Sequence, residues 1–143
     1  MRKSTGMLIL LIWALCFPVM AAAEEQGGIT NVLEALGKQK IEPQQAWKTT
    51  PLLVGPNCTL NLAQLNLVVK SHYHQTHDEI VYIVRGNGLV TIGEQEYQVW
   101  PGYAYLVPQG TVHRFVNLGP DAAVVLSIFS PAFDGKDRVF VEE

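Results

Sequence analysis

The sequence is poor in cysteine, with two among 143 residues, and modest in charge, with Asp, Glu, Lys and Arg making up 16%. One cysteine, Cys16, lies in the first twenty residues, which leaves Cys58 alone in the remainder. A single thiol excludes an intramolecular disulfide scaffold. Cys58 reads as a buried small hydrophobe. Basic residues are scarce too, and the formal charge is −3. An acidic balance argues against nucleic acid or another polyanion as partner. There are no internal repeats and no low-complexity segments. Beyond Cys58 the helical period is missing. No Ser/His/Asp set and no cysteine nucleophile stand out.

One long apolar run is present, and it is at the N-terminus. Arg2 and Lys3 precede an almost wholly apolar, uncharged stretch from Met7 to Met20, and Ala21-Ala22-Ala23 follow before Glu24-Glu25. A positive start, an apolar middle and small residues at the end describe a secretory signal peptide over residues 1–23. The run is short for spanning ~30 Å of hydrocarbon. Leu15 before Cys16 does not fit a lipid-modified cysteine. The expectation is export to the periplasm or beyond the cell, with no stable membrane insertion after cleavage. Cleavage would remove Arg2 and Lys3, so that 8 basic residues face 13 acidic ones and the formal charge becomes −5.

The remainder divides into residues 24–57, 58–130 and 131–143. In the first part, Asn31 can cap a short helix in which Glu34 follows three residues later. Val32, Leu33 and Leu36 share a face before Gly37. So short a helix must pack on the main body. Residues 41–57, with Pro43, Pro51 and Pro56, read as an extended arm. From Cys58 onward, short apolar runs alternate with turn signals. Strands are expected over residues 60–69, 79–85, 89–92, 95–100, 103–107, 113–116 and 122–129. Many short strands separated by turns indicate an all-β sandwich or barrel. Residues 131–143 read as a surface extension.

All four histidines fall in the strand-rich half: His72, His74, His77 and His113. Residues i and i+2 of a strand point the same way, so His72 and His74 act together. Glu79 begins the next strand, and His113 can join from a neighbour. Three imidazoles and one carboxylate form a mixed site suited to Mn, Fe, Co, Ni, Cu or Zn. Six-coordination would leave two positions open for a small molecule. His77 falls in the connection between His74 and Glu79 and is expected to be exposed. Strand parity directs Val81 and Ile83 to the same side as Glu79, and Phe115 to the side of His113. Tyr105 is a further candidate. A largely apolar pocket of Val81, Ile83, Tyr105 and Phe115 is expected around the metal. Arg85 shares that parity but sits at a turn, where exposure is expected.

The spacing itself carries a resemblance. His72-Tyr73-His74, four residues, Glu79, six residues and Gly86 resemble the first cupin motif. Gly102, five residues, Pro108-Gln109-Gly110, two residues, His113, three residues and Asn117 resemble the second. The 15 intervening residues, 87–101, match the short spacing of small bacterial members. Tyr103 departs from the acidic residue usual after that glycine. The resemblance implies an all-β fold, one double-stranded β-helix or jelly-roll barrel with a short N-terminal helix and arm. It implies one divalent metal ion held by His72, His74, Glu79 and His113. The expected function is that of an exported metal-dependent enzyme of oxygenase, lyase or isomerase type, leaning towards dioxygenase-like oxidation of a small molecule. The alternative is a non-catalytic metal- or metabolite-binding protein. A homodimer is compatible with either.

Overall fold

The structure, a computed structural model, describes residues 27–142. The leader expected over residues 1–23 lies outside the described residues. Among those described, no helix is long and apolar enough to cross a membrane.

Helix α1, Val32–Lys38, is capped as its sequence requires: the Asn31 side chain accepts from the Glu34 N–H at 3.1 Å. Lys38 closes on Glu34 one turn away. The helix runs through Gly37 and ends at Gln39, and none of its residues is buried. Leu33 is exposed, whereas Val32, Ala35 and Leu36 are half-buried. The contact face is therefore offset from the one expected. Val32 meets Ala35 and Leu36 at i+3 and i+4, and it is this set, rather than one with Leu33, that faces the body.

Ten strands follow: β1 (Trp47–Val54), β2 (Thr59–Leu65), β3 (Val68–His74), β4 (Asp78–Arg85), β5 (Gly88–Ile92), β6 (Gln95–Val99), β7 (Ala104–Val107), β8 (His113–Asn117), β9 (Ala123–Ser130) and β10 (Arg138–Phe140). They form two five-stranded sheets, ordered β1-β2-β9-β4-β7 and β10-β3-β8-β5-β6. Every pairing is antiparallel. The architecture is an all-β double-stranded β-helix with one short N-terminal helix.

Four departures from the sequence reading matter. The arm over residues 41–57 contains β1, which pairs with β2 along its length. The single strand expected over residues 60–69 is two strands, β2 and β3, which belong to different sheets. Asn66 makes the break: its side-chain amide donates to the carbonyls of Glu42 and Gln45 at 3.0 and 2.8 Å. The tail over residues 131–143 supplies β10, which pairs with β3. Cys58, expected inside, is exposed. It precedes β2, outside the alternation that buries Thr59 and Asn61.

Inward-facing residues of the two sheets build the core. It contains Leu65, Val69, Ile83, Val90, Val99 and Val125. Two glycines fix its closed end. Gly86 adopts φ +85 at the turn after β4, a conformation costly for any residue with a Cβ. Gly88 is needed for space instead, since a Cβ there would lie 2.2 Å from Cζ of Phe115.

Candidate metal centre

β3 delivers two of the histidines, and it does so through an irregularity. Val69 is opposite Phe115 and His72 is opposite His113, so β3 spends one residue more than β8 over this interval. Such a bulge reverses which parity faces inward. Val69 faces in before it, and His72 and His74 face in after it, all buried. The bulge has a second effect. It turns the Lys70 carbonyl to within 2.7 Å of His72 Nδ1. Just before β8, the Thr111 carbonyl lies 3.0 Å from His113 Nδ1. A carbonyl can only accept, so both Nδ1 atoms carry the proton. The Nε2 lone pairs are left to bind a ligand, the usual way backbone carbonyls orient metal-binding imidazoles.

Glu79 stands inward on β4, between Phe129 and Val107 on the flanking strands. Its Oε2 lies 3.2 Å from His113 Nε2 and 3.7 Å from His74 Nε2. Ligand atoms of His72, His74 and His113 lie within 4.8 Å of one another. All four side chains are buried. Sequence distance is thus bridged by three strands from two sheets.

The electrostatics make the cluster unfavourable unless it holds a cation. His74 Nδ1 and Nε2 and His113 Nε2 are buried without hydrogen-bond partners. Because His113 Nδ1 is committed to Thr111, a neutral ring would aim its Nε2 lone pair at a carboxylate oxygen 3.2 Å away. Two acceptors repel at that distance; a proton or a metal ion between them converts repulsion to attraction. Protonation is opposed. Burial, then the nearby His113, pulls His72 down to about 3. Burial likewise brings His74 down to about 4, against an upward pull from Glu79. Burial would raise Glu79, but His113, a hydrogen bond from Ser127 and His74 together hold it below the usual carboxylate range. His72 and His74 are therefore neutral beside an ionised carboxylate, and with His113 they make the mixed imidazole and carboxylate donor set that a divalent transition metal takes.

A cavity of about 50 Å³ adjoins His72, Glu79 and His113. That is room for a few water molecules, below the ~300–1,000 Å³ of pockets that enclose drug-sized ligands. Val81, Tyr105 and Phe115 line it. Ile83 does not: it is fully buried two residues deeper on β4, against Val125, and serves the core. Burial, and secondarily Glu79, pushes the Tyr105 phenol well above its ordinary value, so it remains a hydrogen-bond donor. Arg85 is exposed, as its turn position implies.

His77 is the main correction. It is buried, not exposed. Its Nδ1 contacts Asp137 Oδ2, and its ring sits edge-on to Phe133 with centroids 5.4 Å apart. The Asp137 carboxylate also accepts from the N–H groups of Gln75 and Thr76 at 2.9 and 3.1 Å. Burial would raise this carboxyl; the His77 contact and the two amides hold it below its ordinary range. His77 therefore fastens the tail to the β3–β4 connection. The motif spacing leaves this position unconstrained, and Asp137 lies 60 residues away.

Other residues at the site carried no sequence signal. Trp47 and Thr49 of β1 and Arg138 of β10 line the cavity, yet both strands fell in segments read as peripheral. Ser127 and Phe129 also line it. Their parity with Val125 on β9 was readable; Ser127 is the polar interruption in an apolar run.

Comparison with known proteins agrees with this geometry. The family model described as "Cupin domain" matches residues 63–129. An uncharacterized protein of Aquifex aeolicus is 34% identical over 90 residues, covering 60% of this chain and 74% of that one. The structure of KdgF from Halomonas is 30% identical with a TM-score of 0.60, covering 67% of this chain and 86% of the other. A Klebsiella pneumoniae protein with a double-stranded β-helix domain has a TM-score of 0.68 at 16% identity, over 82% of this chain and all of the other. Its likeness speaks to the fold alone. With both motifs, the barrel and the histidine cluster in agreement, the chain belongs to the cupin superfamily.

Proposed function

We propose that this chain is an exported, mononuclear metal-dependent enzyme acting on a small molecule, with oxidative chemistry of the dioxygenase type as the leading class and lyase or isomerase chemistry next. The observation that supports it most is the convergence of three buried imidazoles and Glu79 beside a small cavity. His72, His74, Glu79 and His113 would hold the ion. When bound, such an ion supplies a Lewis acid and open positions for a small molecule. The chain's own groups do the rest. The Lys70 and Thr111 carbonyls set the tautomers of His72 and His113. Ser127 hydrogen-bonds Glu79 and keeps it ionised. The Tyr105 hydroxyl offers a hydrogen bond to a bound molecule's oxygen, while Val81, Phe115 and Phe129 exclude water. The charged, apolar and small-residue segments of residues 1–23 support an exported location.

The small cavity favours one second reading, a protein that binds metal or metabolite without turnover. Trp47 and Thr49, from the arm, line the same cavity and narrow it, in keeping with that reading. Elemental analysis of protein recovered from its own compartment, followed by an oxygen-uptake screen, separates the two. Near-stoichiometric metal with uptake supports the oxidative enzyme; metal with no turnover of any kind supports the binder. His113→Ala is expected to reduce metal content from about one ion per chain to near zero. Unchanged content would sink the site.

A further inference from the structure

Arg138 enters the site from β10. It lies directly opposite His74, and residues so paired project to the same face of a sheet. His74 faces the interior, so Arg138 does as well, and it lines the cavity beside His72 and Glu79. Phe140 is placed the same way opposite His72, with ring centroids 5.8 Å apart. The Arg138 guanidinium lies 4.5 Å from the centre of the Trp47 ring. Stacking occupies its flat face and leaves its N–H edge for another partner. Its Nε is buried and has no hydrogen-bond partner. Among the described residues, no carboxylate oxygen lies within 4.0 Å of it. The strand is anchored just before this residue, where Asp137 holds Gln75, Thr76 and His77.

Charge bookkeeping then becomes lopsided. A divalent ion here would meet a single carboxylate, Glu79, while Arg138 brings a further positive charge to the same cavity. Asp137 is engaged with His77. Like charges at close range in a poorly solvated site repel strongly, and an anion between them removes the penalty. The cavity is small, and Val81, Phe115 and Phe129 give its walls an apolar character. A planar carboxylate on a short carbon skeleton fits both features, and a guanidinium edge can grip it with two parallel hydrogen bonds.

We propose that the site takes a small carboxylic acid in its anionic form, with Arg138 pairing the carboxylate and the metal ion facing the molecule's other end. This rests on the metal reading above. It narrows the substrate class from any small molecule to an organic anion, and makes the C-terminal strand part of the site.

The test uses metal-loaded and metal-free full-length mature protein, calorimetric titration, and three acid/amide pairs: acetate and acetamide, pyruvate and pyruvamide, malonate and malonamide. Inorganic phosphate is the competing anion. At least one acid is expected to bind the wild type about tenfold or more tightly than its amide, the factor one charge-assisted pair supplies. Arg138→Gln should remove that preference with metal content and melting temperature retained, and Arg138→Lys should restore part of it. If metal loads and no acid outbinds its amide, or the preference survives Arg138→Gln, the carboxylate assignment falls while the metal reading stands. If metal fails to load but Arg138-dependent acid binding persists, the assignment stands and the metal reading falls. Phosphate binding through Arg138 with no acid binding overturns the carboxylate class. The acid/amide comparison in the wild type stands even if a variant fails to fold.

Discussion

The two halves of the barrel interior are built by the same strands and differ row by row. Towards Gly86 and Gly88, the rows across the sheets read Ala63, Val125, Ile83 and Val69, Phe115, Val90. These are small or branched apolar residues, packed with no polar group among them. Towards the tail, the rows read Thr59, Phe129, Glu79 and His72, His113. There, buried polar atoms lack partners and a carboxylate faces lone pairs. The first half supplies stability through burial. The second carries the unfavourable contacts that a bound ion relieves. β4 shows the contrast over four residues, from Glu79 through Val81 to Ile83, and β9 shows it from Phe129 through Ser127 to Val125. Barrel closure lets one end be a conventional core while the other keeps unpartnered polar groups inside.

Substitutions can break or sharpen that contrast. The largest expected effect is Ile83→Ala, which should cost about 2–5 kcal/mol in denaturant unfolding, equally with and without metal. A loss that metal cancels would mean that the two ends are not separate. Next is Asp137→Ala, expected to cost about 2–4 kcal/mol because it strands the buried His77 and removes the acceptor of the part-buried Gln75 and Thr76 amides. Hydrogen exchange should show the loss first at β10 and the Gln75–His77 connection; a uniform loss would contradict the anchoring role. Third is acid sensitivity of the metal-free protein. His72 and His74 are held near 3 and 4 against an ordinary 6.5. The unfolded chain therefore binds about two more protons than the folded one between these limits. Stability should be full above pH 6.5 and fall as pH drops towards 3–4. Glu79 and Asp137, both held low, act in the same direction. Melting temperature against pH checks this, and a flat profile from pH 7 to 4 would refute it. The smallest effect on stability belongs to Glu79→Gln. In metal-free protein it should lower stability by only about 1 kcal/mol, since the partners that hold the carboxylate ionised outweigh its burial and an amide keeps part of their hydrogen bonding. Metal affinity should nevertheless fall about tenfold or more. A large loss of apo-protein stability would place Glu79 with the structural half.

What could be read in advance follows from the range of the interactions. The Asn31 cap acts over three residues and was legible. So were most strand bounds from Asp78 to Ser130, because alternation and turn residues are local. The separation of β2 from β3 was not, since Asn66 reaches back more than twenty residues to residues 42 and 45. Parity placed His72 and His74 on one face, and both face inward; the bulge between Val69 and His72, which reverses the inward parity along β3, had no local signal. His77 was misjudged for the same reason of range. Its position in a connection signals solvent, and only Asp137, delivered by the tail, makes burial tolerable.

The sequence by itself determined the fold class, the spacing of His72, His74, Glu79 and His113, and the turns that glycine allows. These are written in periodicity and in motif spacing, which are local properties of the chain. Only the tertiary structure decided that the four side chains meet with lone pairs facing inward. It alone decided that Trp47 and Arg138, from opposite ends of the chain, share one cavity, and that an arm and a tail are strands of the barrel. Those facts depend on strand pairing between residues far apart in sequence. Pairing is settled by the burial and hydrogen bonding of the whole sheet, and no local pattern records it.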